Sequence, residues 1–186
     1  YTMRKYPASI PAESAVMMIT LREVLAACKH FGFKTGESIV IFGAGPVGLA
    51  FTKFAKILGL NPVIVCDIQE EKRAEALKMG ADVFINSKEL DVTTEVRKLV
   101  PEGVDYSLDA VGLNALINTG MGLIKDNGRL KTYGVSPKLD MQIDWSKAPY
   151  NWNLELFQFP IKYEEGAVTD QLITWVVNGW VDPMDF

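Results

Sequence analysis

A doubly wound α/β fold with a six-stranded parallel sheet is what this sequence predicts, and three observations predict it. Apolar runs of strand length recur every 20–25 residues from position 38 onward. Segments with helical periodicity fill the intervals, long enough for the crossovers that parallel strands require. The runs Ile39-Val40-Ile41-Phe42 and Val63-Ile64-Val65 are apolar throughout rather than alternating, as expected of strands covered by helices on both faces.

Residues 1–11 are irregular, punctuated by Pro7 and Pro11. A helix follows from Ala12, because Met17, Leu21, Val24, Cys28 and Phe31 form one stripe of a helical period, broken by Gly32 and Gly36. Strands are expected at Ser38–Phe42, Pro62–Cys66, Asp82–Ile85, Val104–Leu108 and Arg129–Tyr133. After the first, Val47, Phe51, Phe54 and Leu58 make a helical stripe closed by Gly59. Glu70–Met79 is a charged, alanine-rich helix ended by Gly80, and Val92, Val96 and Leu99 mark a shorter one that stops before Pro101. Leu113, Leu116, Ile117, Met121 and Ile124 form the next, with Asp126-Asn127-Gly128 as the turn into the fifth strand. The stretch 136–153, with Pro137, Pro149, Trp145 and Trp152, reads as a long loop. Leu154–Phe159 is expected as a sixth strand and Glu164–Asn178 as a last helix, with Val168, Leu172, Trp175 and Val176 inward.

The 186 residues are 48% hydrophobic and 23% charged, which suits an ordinary globular chain with one real core. A net charge of −4 gives no reason to expect nucleic acid or an anionic membrane as partner. No apolar run approaches the roughly 18 residues of a membrane span, and Arg4 and Lys5 are not followed by the apolar core of a signal peptide. Cys28, Cys66 and His30 are too few for a disulfide framework or a four-ligand structural zinc site, which fits the reducing cytoplasm. His30 reads as a solvated residue at a helix end. The chain begins at Tyr1 rather than methionine, and it is expected to be a piece of something longer.

Chemistry enters at Gly43-Ala44-Gly45-Pro46-Val47-Gly48, a G-x-G-x-x-G run placed directly between a buried-type strand and an amphipathic helix. Gly43 lets the chain turn sharply, Gly45 lets a diphosphate approach bare backbone, and Gly48 lets the helix sit close on the sheet. Pro46 falls in the first helical turn, where its missing N–H costs nothing. The remaining amides there face outward at the positive end of the helix dipole, ready for an anion. Asp67, about 19 residues beyond Gly48, stands where a carboxylate accepts hydrogen bonds from an adenosine ribose. It could equally cap the helix that begins near Gln69. Together these predict a bound dinucleotide. A carboxylate at Asp67 would repel the 2′-phosphate of NADP, so NAD is the expected cofactor. Lys72 and Arg73 lie along an exposed helix face, with Lys72 placed to touch the ribose.

The residues resemble the coenzyme domain of the medium-chain dehydrogenase/reductase family, the zinc-type alcohol and polyol dehydrogenases. The resemblance rests on Gly32 to Gly48 as a whole, on Asp67 with Lys72-Arg73 and Ala76-Leu77-Lys78-Met79-Gly80-Ala81-Asp82, on Val104 to Gly112, and on Gly128 to Val135. It implies a Rossmann domain over 37–186, with 1–36 as an N-terminal segment and connecting helix, and a catalytic domain absent from this chain. It implies an NAD-linked interconversion of a small-molecule alcohol, a secondary hydroxyl on a polyol or sugar, with a ketone or aldehyde, with Val111 and Gly112 flanking the cofactor and Tyr133, Gly134 and Val135 lining its nicotinamide end. It also implies a homodimer through the edge strand near 154–159.

One departure stands out. The family's last zinc ligand would fall near Met18 or Ile19, neither of which can serve, so either the parent enzyme binds zinc through other ligands or it is a zinc-free member, and this chain is expected to bind no metal and to catalyse nothing alone. No catalytic residue is assigned. A zinc-free quinone or enoyl reductase of the same family, and an NAD(H)-sensing regulatory module, remain as alternative readings; the substrate is not legible.

Overall fold

Six strands and six helices alternate in a computed structural model that describes residues 4–136, 138 and 140–186. The strands are β1 (Ile39–Phe42), β2 (Val63–Asp67), β3 (Val83–Asn86), β4 (Val104–Asp109), β5 (Ile124–Thr132) and β6 (Trp152–Leu156). The helices are α1 (Ala12–His30), α2 (Pro46–Ile57), α3 (Arg73–Lys78), α4 (Val92–Leu99), α5 (Asn114–Met121) and α6 (Lys162–Val177). Every strand pair is parallel, in the order β3-β2-β1-β4-β5-β6.

Side-chain alternation along the strands builds two cores. Ile39, Ile41, Val63 and Val65 point to one face, where α1, α2 and α6 cover them. Val40, Phe42, Ile64 and Cys66 point to the other, against α4 and α5. Both faces being buried explains why these strands carry no polar alternation. The strand order reverses between β1 and β4, the topological switch at which ligands of open α/β sheets bind beyond the carboxyl ends of the strands. No helix among the described residues is long and apolar enough to cross a membrane.

Several expectations need correction. In α1 the large buried side chains are Met18, Leu21, Val24 and Leu25, with Cys28 beyond them, so Met18 rather than Met17 leads the inner stripe. The helix expected at Glu70–Met79 is split into a 3-10 turn, Glu70–Lys72, and α3. Ile124 begins β5 instead of ending a helix. Asp126-Asn127-Gly128 lies inside that strand, where the register jumps from Val104–Ile124 to Tyr106–Arg129. Asn127 takes the positive φ of 61° that the triplet announces, but the chain bulges and runs on. The bulge is held by the residue just before β6, since Asn127 N–H donates to the Asn151 carbonyl at 2.7 Å and Asp126 accepts the Asn151 N–H at 3.1 Å. β6 itself starts at Trp152, two residues earlier than expected, because it pairs with β5 from Gly128 to Thr132. Pro137 and Leu139 lie outside the described residues.

His30 sits at the end of α1 but is more than a solvated residue. Its Nε2 meets Glu155 at 3.0 Å, its Nδ1 meets Glu164 at 2.9 Å, and its ring stacks on Phe157 with centroids 3.7 Å apart.

Candidate dinucleotide site

The turn from β1 into α2 is built on glycine for three different reasons. Gly43 has φ +102°, and a Cβ there would meet Val111 Cγ2 at 2.7 Å. A Cβ on Gly48 would fall 1.9 Å from the Gly43 carbonyl oxygen, so the first turn of α2 rests directly on the end of β1. Gly45 is different. Its φ of −74° suits any residue, and a Cβ would meet nothing within 4 Å. The ground in front of Gly45 is open.

Pro46 opens α2, and the first recorded bond of the helix runs from Leu49 N–H to the Gly45 carbonyl at 2.9 Å. The amides of Val47 and Gly48 precede it and have no intrahelical acceptor. No acidic residue occupies the first turn, so the helix dipole there is uncompensated. An anion reaching the open ground at Gly45 would find donors and a positive end.

Asp67 closes one side. Its Oδ2 accepts the Ala44 N–H at 2.7 Å and its Oδ1 accepts the Gln69 N–H at 2.9 Å. The carboxylate thus braces the glycine turn and the start of the next helical turn at once. Each oxygen keeps a further lone pair for a hydroxyl donor. Lys72 does not add to this: its Nζ is turned to Glu75 at 2.8 Å.

The far side comes from the ends of β4 and β5. Gly112, at φ +92°, would place a Cβ 2.5 Å from the Val135 carbonyl carbon, and a Cβ on Gly134 would lie 2.1 Å from the Gly112 nitrogen. The two loops therefore touch backbone to backbone. Asp109 fixes them: its buried carboxylate accepts the N–H groups of Val111 and Gly112 at 2.9 and 3.0 Å, and its carbonyl accepts those of Tyr133 and Gly134. Burial pushes the Asp109 carboxyl above its ordinary value, against the pull of those amides. Val111 and Val135 stay exposed. The Tyr133 ring does not; it lies in the core, edge-on to Phe51 at 5.0 Å, with burial pushing its phenol up to about 12. Only its backbone joins the loop contacts, through the N–H that donates to the Asp109 carbonyl. A cavity of about 280 Å³ beside Gly134 and Val135 is lined by Ile117, Leu154, Leu156 and Gln158 among others.

The structure so places Gly43, Gly45, Pro46, Val47, Gly48, Asp67, Val111, Gly112, Gly134 and Val135 at the carboxyl ends of β1, β2, β4 and β5, and turns Lys72 and the Tyr133 ring elsewhere. Asp109 is the residue that sequence reasoning missed as a site-shaping group. Its signal was available: like Asp67, it is an acid ending a strand that pairs with β1 at the topological switch. The positions where a zinc ligand is expected offer no donor suited to zinc. Met18 is buried and Ile19 offers only alkyl surface, and no group of three or more His, Cys, Asp or Glu among the described residues is arranged to hold a metal.

With this geometry in place, the comparisons with known proteins decide the family. The zinc-binding dehydrogenase family matches residues 46–161. The chain belongs to that family. It is similar to an alcohol dehydrogenase of Cupriavidus necator, 36% identical over 108 residues, which are 58% of this chain and 30% of that protein. It is similar to an L-threonine 3-dehydrogenase of Pyrococcus horikoshii, 36% identical over 134 residues, 72% of this chain and 38% of that protein. An alcohol dehydrogenase zinc-binding domain protein from Burkholderia ambifaria superimposes with a TM-score of 0.85 at 27% identity, over 94% of this chain and 48% of that one. The chain spans less than half the length of each of these relatives.

Proposed function

We propose that this chain is the dinucleotide-binding part of an NAD-dependent alcohol or polyol dehydrogenase, with residues 1–36 as the connecting segment and 37–186 as the binding domain. The observation that carries the reading is the open ground at Gly45, faced by the free amides of Val47 and Gly48 and flanked by the Asp67 carboxylate. A diphosphate would lie on those amides. The adenosine ribose would donate to Asp67, and the nicotinamide would extend toward Val111, Gly112, Gly134 and Val135. When bound, NAD supplies the hydride acceptor for oxidation of a small-molecule alcohol. The part this chain plays is to bind and orient it, and to present one face toward the substrate. The dehydrogenase names of the relatives support that reaction class.

NAD is preferred to NADP because a 2′-phosphate would meet the Asp67 charge. We place the protein in the cytoplasm, since both cysteines are free and buried. We infer a homodimer through β6, the sheet edge that carries exposed Leu154 and Leu156. A second reading, a zinc-free reductase of the same family, is favoured by Met18 and Ile19 standing where a ligand is expected. The primary test is a fluorescence titration with NADH and NADPH. Saturable NADH binding, at least about tenfold tighter than NADPH, supports the proposal; no binding of either removes it.

A further inference from the structure

We propose that Glu70 is a positioning residue for cofactor choice: it holds the Arg73 guanidinium away from the ground where an adenosine 2′-phosphate would lie. The proposal rests on the dinucleotide reading above. It starts from register. Asp67 and Asn86 are partners at the ends of β2 and β3, and they share a sheet face with Phe84. Asn86 Nδ2 donates to Glu70 Oε2 at 3.1 Å. Arg73 donates from Nε to one Glu70 oxygen and from Nη2 to the other, the latter at 3.1 Å. Its Nη1 donates to the Phe84 carbonyl at 3.0 Å, and the guanidinium carbon lies 4.8 Å from the centroid of the Phe84 ring.

The guanidinium is therefore held one strand away from Asp67, with its bidentate edge filled by a carboxylate. Lys72, the other cation of the segment, is paired with Glu75. Four carboxylates, Asp67, Glu70, Glu71 and Glu75, outnumber these two cations. A phosphate needs a free two-pronged donor to offset its charge, and the one nearby belongs to Glu70. Neutralising Glu70 would release Nε and Nη2, leaving the guanidinium held only by the Phe84 carbonyl and ring and able to swing across toward Asp67. The Glu70 and Arg73 side chains are 50% and 40% exposed, so their mutual attraction contributes little to folding. The substitution is thus expected to leave the fold intact.

The experiment is a set of NADH and NADPH titrations on the full chain, wild type and the variants Glu70→Gln, Arg73→Gln and the double. Glu70→Gln should tighten NADPH roughly tenfold, the worth of one charge-assisted hydrogen bond, with NADH within about twofold of wild type. The gain should vanish in the double variant and shrink as salt is raised. An NADPH affinity unmoved in Glu70→Gln while NADH still binds would overturn the proposal and leave the dinucleotide reading standing. A gain that survives Arg73→Gln would overturn it too, since charge alone would then be responsible. Failure of the wild type to bind NADH would remove both.

Discussion

Asp67 Oδ2 accepts the Ala44 N–H at 2.7 Å, so the carboxylate that ends β2 holds the glycine turn after β1. The residue expected to receive the ribose is also the one that shapes the diphosphate ground. Asp67→Ser shortens the side chain past both bonds. It should lower stability by about 1–2 kcal/mol in urea denaturation and narrow the gap between NADH and NADPH. An unchanged cofactor preference would show that Asp67 does not discriminate.

Gly48 and Gly43 are in contact through the Gly43 carbonyl, where an added methyl would sit at 1.9 Å. Gly48→Ala has to push α2 off the sheet. A loss of about 2–3 kcal/mol is expected from the urea midpoint. A midpoint like that of wild type would mean the helix is free to slide, and the close packing drawn here would be wrong.

The parts of the site that were legible in the sequence are those fixed by local backbone. Gly43 needs a positive φ and Gly48 needs to clear a carbonyl within five residues, so the motif states its own geometry. The parts that were not legible depend on distant partners. Asp126-Asn127-Gly128 announces a positive φ but not whether the chain reverses or bulges; pairing with β4 and β6 decides that. The start of β6 is set by the span of β5 it matches. Lys72 had a carboxylate three residues on that competes with any ribose, and spacing alone does not rank the two. Tyr133 follows the face of Lys131 rather than that of Leu130, which sends its ring to the core.

Asp105 carries a pH prediction. Burial pushes its carboxyl up, but Lys125 at 2.5 Å and the N–H and O–H of Ser38 outweigh that, so its value lies below the ordinary one. A folded value below the unfolded one contributes stability that is complete above about pH 4 and is lost as pH falls through the folded value. Asp105→Asn should therefore flatten the acid limb of a stability–pH profile. An acid limb as steep as that of wild type would assign it to other carboxylates.

β6 is an open edge, and Leu156 on it is 65% exposed. Light scattering should report a dimer for the wild-type chain. Leu156→Arg should shift it toward monomer without lowering the thermal midpoint of the monomer. A wild-type monomer at high concentration would remove the edge-to-edge assembly.

Gly45→Ser separates binding from folding most directly. The new Cβ has room, and serine is a good N-cap whose Oγ would take the Gly48 amide, so stability should hold or rise by about 0.5 kcal/mol. That same Oγ would occupy the diphosphate ground. Calorimetric titration with NADH should give one saturable site per chain for wild type and none for Gly45→Ser. Equal NADH affinity in the two proteins would contradict the assignment of the Gly45 crevice as the cofactor's seat.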